Sequence, residues 1–463
     1  MQKMSKNSIN RRDFLKYMGV GAAALSVNSC KMNLSTGGLS MAEDAPIGKL
    51  DYRYSKTHND RISLLGYGCM RLAKKSDPKE GENICDQELV NEMIDENLKY
   101  GVNYFDTAPP YMQGWSETCM GEALCRHPRD SYYIATKMSN MNSRYWSREA
   151  SIALFEQSFV NLKTDYIDYY LLHTVGSGGW ENFQNRFIHN GILDFLIEQR
   201  AKGRIRNLGF SFHGDVKVFD YLLSRHDEIK WDFAQIQVNY KDWHYANETK
   251  ANNIDGVYLY TELEKRDIDV IIMEPILGGR LARIPGYLAN ILQEHNPGKS
   301  LAWWAFRYAA TFPKVICVLS GINHYEHLYE DIEIYSPLVP MTQEENDILM
   351  EVAKLMIEYP IVECTACQYC MPCPYGVDIP SVFTHFNKCV CEGNYPESSL
   401  DSKYQQGRRA FLIGYDRSVP KLRQANHCIN CNECVIHCPQ RVDIPAEMRR
   451  VDEYVEKLKQ ETL

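Results

Sequence analysis

The chain has 463 residues, which corresponds to about three domains of ordinary size or to one large barrel with an accessory domain. Hydrophobic residues make up 44% of it and charged residues 24%, a globular balance that excludes wholesale disorder and collagen-like repeats. Acidic residues outnumber Lys and Arg by 60 to 51, and the resulting net charge of −9 argues against a nucleic-acid partner, because phosphate binding needs a basic face.

The first 30 residues have the pattern of an export signal. Arg11 and Arg12 precede Phe14, and a small-residue apolar stretch over 18–27 follows, well short of the ~20 residues of a membrane-spanning helix. The paired arginines resemble a twin-arginine signal, which exports proteins that are already folded. An ordinary export signal with unrelated arginines is the alternative. Either reading predicts a location outside the cytoplasm, in the periplasm.

Residues 31–48 are predicted to be a tether between this signal and the folded part of the chain. Cys30 stands at a candidate lipoprotein cleavage site, so a lipid anchor is a second expectation. No later segment approaches 18 consecutive apolar residues, and no transmembrane helix is therefore expected in the mature chain.

Short apolar runs alternate with helical patterns between residues 49 and 335. Eight of the runs have the length and composition of buried strands, and they span 64–69, 102–106, 132–137, 167–173, 205–211, 233–238, 269–273 and 315–320. Eight strand–helix repeats over this length match a (β/α)8 TIM barrel. An open doubly wound sheet, the alternative, would usually place a glycine-rich phosphate turn after its first strand. The predicted fold class is therefore α/β, with a barrel over 49–335.

Polar side chains end three successive predicted strands, where a barrel of this class keeps its active site. Asp106, Lys137 and His173 each end a strand, and Tyr111 follows Asp106 by five residues. Each residue taken alone has a structural explanation, such as a cap, a packed ring or a solvated ammonium. Together they predict that Tyr111 is a general acid, because a buried lysine beside a tyrosine lowers the pKa of the phenol. The aspartate would hold the ammonium, and the histidine would orient a carbonyl.

These residues stand within motifs that resemble the aldo/keto reductase family. The motifs, in the order of that family, are Gly66-Tyr67-Gly68-Cys69-Met70-Arg71, Phe105-Asp106-Thr107-Ala108, Ala135-Thr136-Lys137, Leu171-Leu172-His173 and Leu208-Gly209-Phe210-Ser211. The resemblance covers about residues 50–335. It implies that Tyr111 is the general acid, that Lys137 and Asp106 tune it, and that His173 positions the oxygen of a small-molecule carbonyl or alcohol. A nicotinamide would exchange hydride at its C4.

The same resemblance assigns residues to an NAD(P) site. The positions that match its carboxamide, pyrophosphate and adenosine-phosphate contacts are Ser211, Gln237, Gly278, Gly279, Ser320, Gly321 and Glu330. His327 stands where an arginine would clamp a 2′-phosphate, which argues against an NADP preference. A barrel that kept the four catalytic residues and lost tight nicotinamide binding is the alternative.

A connector over 336–360 is predicted to join the barrel to a small, mainly α-helical domain over 361–463. Thr342 has the properties of a helix cap, and it is followed by Glu345 and an apolar stripe that runs towards Tyr359. We expect this helix to dock the C-terminal domain onto the barrel.

Eight of the 16 cysteines form two runs in the C-terminal domain. The runs are Cys364, Cys367, Cys370 and Cys373, and then Cys428, Cys431, Cys434 and Cys438. The second run has the C-x2-C-x2-C-x3-C-P spacing of bacterial ferredoxins, and the first is one residue shorter before its last cysteine. Val-Asp-Ile-Pro follows each run, at 377–380 and 442–445, so the two form an internal repeat. Each proline suits the first turn of a helix.

The repeat resembles a helical ferredoxin-type domain, which implies two [4Fe–4S] clusters. The crossed pattern of such domains would group Cys364, Cys367, Cys370 and Cys438 at one cluster, and Cys428, Cys431, Cys434 and Cys373 at the other. Zinc sites and disulfides are the alternatives, and Cys389 or Cys391 could replace Cys373 as a ligand. The remaining cysteines (30, 69, 85, 119, 125 and 317) are interpreted as core residues, or as a lipid site for Cys30.

Two functions fit this combination of domains. The first is an exported oxidoreductase whose barrel interconverts a carbonyl and an alcohol, while the clusters exchange electrons with a redox partner protein or a membrane electron carrier. Its nicotinamide would be tightly bound, because no free NAD(P)H pool is expected outside the cytoplasm. The second is an iron–sulfur electron carrier whose barrel is a docking or sensing module. The substrate is not indicated, although the loops at 113–115 and 176–180 predict aromatic pocket walls.

Overall fold

The structure is a computed structural model that describes residues 48–77, 79, 81–249 and 253–463. The predicted export signal, Cys30 and the tether up to residue 47 lie outside the described residues. Among the helices of the described part, none is both long enough and apolar enough to cross a membrane.

The apolar runs of the sequence form a closed barrel of eight parallel strands. A short antiparallel hairpin, β1 (Tyr52–Tyr54) and β2 (Arg61–Ser63), precedes it. The barrel strands are β3 (Leu65–Gly68), β4 (Tyr104–Asp106), β5 (Tyr133–Met138), β6 (Ile167–Val175), β7 (Ile205–Phe212), β8 (Phe233–Gln237), β9 (Asp269–Met273) and β10 (Val315–Ser320). They pair in the order β10-β3-β4-β5-β6-β7-β8-β9. The predicted α/β class and (β/α)8 barrel are confirmed.

Apolar side chains fill the interior of the barrel, as expected for strands that are covered on both faces. Tyr169 packs edge-on against Tyr104 and Phe233, with ring centroids 5.2 and 5.1 Å apart. Because all strands of a closed parallel barrel end at the same rim, the residues that end β4, β5 and β6 must meet there.

Helices surround the barrel and bury one face each against it. Their bounds are α1 (Gln87–Tyr100), α2 (Ser116–Leu124), α3 (Arg148–Leu162), α4 (Gly179–Phe183), α5 (Ile192–Ala201), α6 (Val216–Ser224), α7 (His226–Ile229), α8 (Asp242–Thr249), α9 (Gly256–Lys265), α10 (Gly286–His295), α11 (Leu301–Ala310) and α12 (Tyr325–Ile334). Helix α1 begins after Asp86, whose carboxylate accepts a hydrogen bond from the Leu89 amide. It ends at Gly101, where φ is 97° and an added Cβ would lie 2.4 Å from the Tyr52 hydroxyl.

The connector contains the predicted helix, α13 (Gln343–Met356), which ends three residues before Tyr359. Thr342 caps it, and Glu345 accepts a hydrogen bond from the Thr342 amide in return, which completes a capping box. Glu345 also forms a buried bidentate ion pair with Arg307 of α11, at 2.8 and 3.1 Å. This pair ties the connector to the barrel.

Replacing Glu345 by Gln should lower the free energy of unfolding by about 1–3 kcal/mol, since it leaves the buried Arg307 guanidinium without its charged partner. Although burial opposes it, the pairing with Arg307 and Thr342 lowers the pKa of Glu345 to about 2, from an ordinary value of 4.5. A carboxylate with a lowered pKa stabilises the fold above pH 4.5, and that stabilisation is lost as the pH falls towards 2. Urea unfolding at neutral and acidic pH measures the difference in the free energy of unfolding between the wild type and the Glu345→Gln variant. This difference should become smaller in acid. The exposed neighbour Glu344, changed to Gln, is the control and should unfold like the wild type.

Three helices make up most of the C-terminal region: α14 (Ile379–Cys391), α15 (Tyr404–Ser418) and α16 (Ile444–Gln460). Phe386 and Met448 are fully buried in the core between them. No strand occurs among the residues described after the barrel, so this region is helical, as predicted.

The internal repeat of the sequence is also a repeat of structure. Asp378 and Asp443 cap α14 and α16 by accepting hydrogen bonds from backbone amides, and the following prolines lie in the first turns as predicted. Within the cysteine runs, equivalent residues have a left-handed backbone: Ala366 matches Asn430, and Gln368 matches Asn432, with φ between 53° and 68°. The two cysteine loops therefore have similar conformations.

Candidate active site

Four predicted catalytic residues meet at the carboxyl rim of the barrel. Asp106 is the last residue of β4, Lys137 lies in β5 and His173 in β6. Tyr111 begins the turn after β4 and is 9% exposed, whereas the other three are almost fully buried. The structure brings all four together: the Lys137 ammonium lies 4.9 Å from the centre of the Tyr111 ring, whose centre is 5.9 Å from that of His173.

Lys137 and Asp106 form a buried ion pair beneath Tyr111. The Lys137 Nζ lies 2.5 Å from one carboxylate oxygen of Asp106 and donates a second hydrogen bond to the Thr107 carbonyl at 2.8 Å. The other carboxylate oxygen accepts a hydrogen bond from Gln235 at 2.9 Å. This pairing and the added hydrogen bonds make it possible to bury both charges. Sequence reasoning missed Gln235, although it lies two residues before Gln237 on the same strand.

The pKa of Tyr111 departs from the prediction that Lys137 lowers it. Burial is the largest effect and raises the pKa of Tyr111 well above its usual value, and the nearby Tyr369 and Asp106 raise it further. The physical reason is that the Lys137 ammonium is paired with Asp106 and lies beside the Tyr111 ring. The phenol is therefore protonated in this structure.

His173 is a neutral imidazole. Burial lowers its pKa well below the usual value, and the charges of Lys137 and Arg186 lower it further. Nδ1 of His173 is hydrogen-bonded to the Ser139 hydroxyl at 2.6 Å, and that hydroxyl also lies 3.2 Å from the Lys137 carbonyl. These contacts fix the orientation of the imidazole ring.

Nε2 of His173 is 3.4 Å from the hydroxyl of Tyr369, a residue of the C-terminal region. Tyr369 is also a close neighbour of Tyr111 and raises the pKa of that phenol. It lies between Cys367 and Cys370 in the first cysteine run, and sequence reasoning gave it no role. The residue at the equivalent place in the second run is the exposed Glu433, so the tyrosine distinguishes the run that faces the barrel.

A cavity of about 460 Å³ extends from this centre along the rim. Its walls include Asp106, Tyr111 and His173 and six of the predicted nucleotide-binding residues: Ser211, Gly278, Gly279, Ser320, Gly321 and Glu330. Gln237 is not on its wall, because the side-chain amide donates to Asp242 and accepts from Gln440 of the C-terminal region. The buried side-chain oxygen of Asn323 lines the cavity and has no hydrogen-bond partner among the described residues. These features fit a polar ligand such as a dinucleotide.

Glu330 and His327 both line this cavity, and Glu330 accepts a hydrogen bond from Ser300. Burial lowers the pKa of His327, which favours its neutral ring. Among the described residues on the cavity wall, Arg71 is the only Lys or Arg.

A strap from the C-terminal region, residues 363–369, crosses the rim beside the nucleotide cavity. Glu363 forms ion pairs with Arg280, at 2.6 Å, and with Lys241, at 3.1 Å. The Thr365 carbonyl accepts a hydrogen bond from Arg71 at 2.7 Å and lies against Gly278, where an added Cβ would come within 2.5 Å of it. The strap therefore packs directly against the predicted pyrophosphate loop.

The eight cysteines of the two runs line two cavities in the crossed arrangement. The walls of a small cavity include Cys364, Cys367, Cys370 and Cys438. A second cavity, of about 460 Å³, is lined by Cys373, Cys428, Cys431 and Cys434, together with Cys370. Cys389 and Cys391 line neither cavity.

These cysteine sets are not built like a single-ion site. In the described ranges, no three His, Cys, Asp or Glu side chains converge closely enough to hold one metal ion. A [4Fe–4S] cluster places its four thiolate ligands on four separate irons, so its cysteines stand around a space and do not meet at one point. The four cysteines around each cavity are the donor set that the predicted clusters require, although the first cavity is small, about 20 Å³.

Another cavity, of about 1200 Å³, also borders Tyr111 and Tyr369. Its wall combines barrel loops with the C-terminal region and includes Met112, Met141 and Met371. Neither tryptophan of the two loops lines this cavity, so the aromatic walls predicted from those loops are not found there. Trp180, for example, packs edge-on against Tyr221, at 5.0 Å between ring centres.

A model of the aldo/keto reductase family matches residues 64–354 of the chain, and it ends before the first cysteine run. A protein described as an uncharacterized oxidoreductase, YqkF of Bacillus subtilis (strain 168), is 25% identical over 322 residues, which are 63% of this chain and 93% of that protein. The L-galactose dehydrogenase of Arabidopsis thaliana is 21% identical over 316 residues, 65% of this chain and 92% of that protein.

Among solved structures, the holo form of aldo-keto reductase AKR11C1 from Bacillus halodurans superposes with a TM-score of 0.51 and 22% identity. That superposition covers 65% of this chain and 96% of the other. It supports the barrel fold.

Proposed function

Because the chain belongs to the aldo/keto reductase family and is an oxidoreductase of that type, we propose that it is an exported enzyme that couples alcohol–carbonyl chemistry to two [4Fe–4S] clusters. The observation that carries this proposal is the position of Tyr369. This side chain belongs to the first cysteine run, yet it is a close neighbour of Tyr111 and lies within 3.4 Å of His173. One residue thus joins the reaction centre to the predicted cluster site.

The cavity beside Tyr111 would hold the nicotinamide cofactor that membership of the family implies. The cofactor supplies a hydride acceptor or donor at the carbon that faces the substrate. We infer a preference for NAD(H), because the Glu330 carboxylate lines this cavity and Arg71, the only Lys or Arg on its described wall, already donates to the Thr365 carbonyl. The neutral His327 could not replace an arginine there.

The residues of the centre then have separate tasks. Tyr111 exchanges a proton with the substrate oxygen, while the buried pair of Lys137 and Asp106 holds a positive charge beside its ring. His173 orients the substrate through Nε2.

Oxidation of an alcohol to a carbonyl releases two electrons and two protons. Two [4Fe–4S] clusters that each accept one electron would hold the pair until a redox partner collects it. Cys364, Cys367, Cys370 and Cys438 would hold one cluster, and Cys373, Cys428, Cys431 and Cys434 the other. The first would lie next to Tyr369, and so nearest to the reaction centre.

The test uses the full chain purified without oxygen. We expect about eight irons per chain, as two four-iron clusters require, and bound NAD(H) that survives dialysis. L-galactose is the first alcohol to try, followed by a panel of other sugars and polyols, and oxidation should produce the EPR signal of reduced clusters. The Tyr369→Phe variant should keep its clusters and reduce them more slowly, whereas the exposed Tyr287→Phe is the matched control. Protein that lacks iron in this preparation contradicts the proposal.

The strap predicts slow release of the nucleotide. Changing Glu363 to Gln removes a charged partner of Arg280 and Lys241, so the strap should open more often. We expect the dissociation rate of NADH to rise by about 10-fold, as a loss of roughly 1.4 kcal/mol gives. Stopped-flow fluorescence measures that rate, and Glu358→Gln, an exposed residue just before the strap, serves as control. Equal rates in both variants would show that the strap does not retain the nucleotide.

One observation favours the second function, an electron carrier with a sensing barrel. Tyr369 lies beside Tyr111 and within 3.4 Å of His173, in the place that a substrate oxygen would need. If Tyr369 remains beside Tyr111 and His173, a ligand that binds the barrel can change the conformation of the first cysteine run without being chemically converted. The effect of replacing Tyr111 separates the two functions.

A further inference from the structure

Two cysteines lie side by side beneath an exposed loop, away from both cysteine runs. Cys85 is at the end of the loop 73–86, which is closed by an antiparallel bridge between Lys74 and Cys85. Cys119 lies in α2, the helix that follows the Tyr111 turn. Both residues are 0% exposed, and neither forms a disulfide in this structure.

Cys85 and Cys119 are joined through the side chain of Asn83. Its oxygen accepts a hydrogen bond from the Cys85 amide at 2.9 Å, and its nitrogen lies 3.4 Å from the Cys119 sulfur. Gln87 adds a hydrogen bond to the Cys119 carbonyl at 3.0 Å. The loop that ends at Cys85 and the helix that carries Cys119 are therefore held together at these two residues.

The surroundings of the two thiols differ. Cys85 is the largest effect that lowers the pKa of Cys119, burial opposes it, and Asn83 and the ammonium of Lys75 lower it further. The neighbouring Cys119 raises the pKa of Cys85. Cys119 is therefore the thiol of the two that ionises more readily, and the thiolate is the form that attacks a disulfide.

We propose that Cys85 and Cys119 are a redox-active dithiol that closes to an intramolecular disulfide. The oxidant is an external disulfide such as oxidised glutathione. The Cys119 thiolate attacks one of its sulfurs and releases one glutathione, which leaves a mixed disulfide. Cys85 then attacks the Cys119 sulfur as a thiolate and releases the second glutathione. Two protein thiols are oxidised, one external disulfide is reduced, and the two protons leave with the released thiols.

Access to the pair depends on the loop above it. Residues 74–77 are exposed, and local opening of such a loop costs far less than global unfolding. Loop residues Ala73, Lys74 and Ile84 also line the cavity of about 1200 Å³ beside Tyr111. The disulfide would therefore fix one wall of that cavity to the helix that follows the catalytic turn. This inference does not depend on the proposed function.

The test maps disulfides in the full chain. Protein purified without oxygen is treated with oxidised glutathione, its free thiols are blocked with N-ethylmaleimide under denaturing conditions, and the peptides are identified by mass spectrometry without reduction. We expect a peptide pair joined through Cys85 and Cys119, and a rise in Tm on oxidation. The Cys125→Ser variant, which removes an exposed cysteine near the pair, should keep both results.

The Cys85→Ser variant should lose the joined peptides and the rise in Tm. The peptide map of the wild type decides the question even if this variant folds poorly. Alkylated Cys85 and Cys119 after full treatment with the oxidant would overturn the proposal, and so would a cross-link from either residue to another cysteine.

Discussion

Changing Tyr111 to Phe should lower kcat for alcohol oxidation by about 10²–10⁴-fold, the range that a positioned general acid or base contributes. The phenylalanine keeps the packed ring next to Lys137 and His173 and removes only the hydroxyl. Binding of NADH and the iron content should be unchanged, because neither depends on that oxygen. Steady-state kinetics with the best alcohol of the panel measure kcat, and NADH fluorescence measures nucleotide binding.

The control for this variant is Tyr287→Phe, the same substitution at an exposed position of α10. It should turn over like the wild type. An electron carrier would behave differently, since its clusters would be reduced and reoxidised at the same rates with and without the Tyr111 hydroxyl. Unchanged kcat in Tyr111→Phe would remove the residue from the proposed chemistry.

The second large effect concerns the crossed cysteines. Changing Cys373 to Ser should remove the cluster of the second run, and changing Cys438 to Ser should remove that of the first. Iron should fall from about eight to about four atoms per chain in each variant, because one four-iron cluster is lost. Cys373 belongs to the first run but would hold the cluster of the second, and Cys438 belongs to the second run but would hold the cluster of the first. The two variants should therefore lose different EPR signals.

Cys391→Ser is the matched control for these variants. Cys391 lies near the runs, but its thiol donates to the Arg283 carbonyl and lines neither cysteine cavity. Its iron content should equal that of the wild type. Loss of the same EPR signal from Cys373→Ser and Cys438→Ser would contradict the crossed arrangement. Full iron in Cys373→Ser with loss in Cys391→Ser would assign the ligand to Cys391.

Much of the fold could be predicted from local patterns. The strands show as apolar runs because a parallel barrel buries both faces of each strand, and the helix of the connector shows through its cap at Thr342. The catalytic residues could be placed because strand ends share one rim. The pKa of Tyr111 could not be predicted, since it depends chiefly on how deeply folding buries the phenol and on the neighbouring Tyr369.

Residues between domains were the hardest to predict. Gln237 matches a cofactor contact in sequence, but in the structure its amide binds Asp242 and Gln440. No sequence pattern indicates a role for Tyr369, which lies between two cysteines of the first run. Its role becomes visible only when the structure places it beside the barrel. Such contacts are set by docking of two surfaces, which local periodicity does not encode.

The sequence by itself determined the barrel, the chain positions of its four rim residues and the repeat of the two cysteine runs, because each depends on spacing along a single element. Only the tertiary structure decided that Tyr369 enters the reaction centre, that Glu363 anchors a strap over the pyrophosphate loop, and that Cys85 meets Cys119. The physical reason is distance along the chain. These contacts join segments 34 or more residues apart, and they form only where packing of the whole chain brings their side chains together.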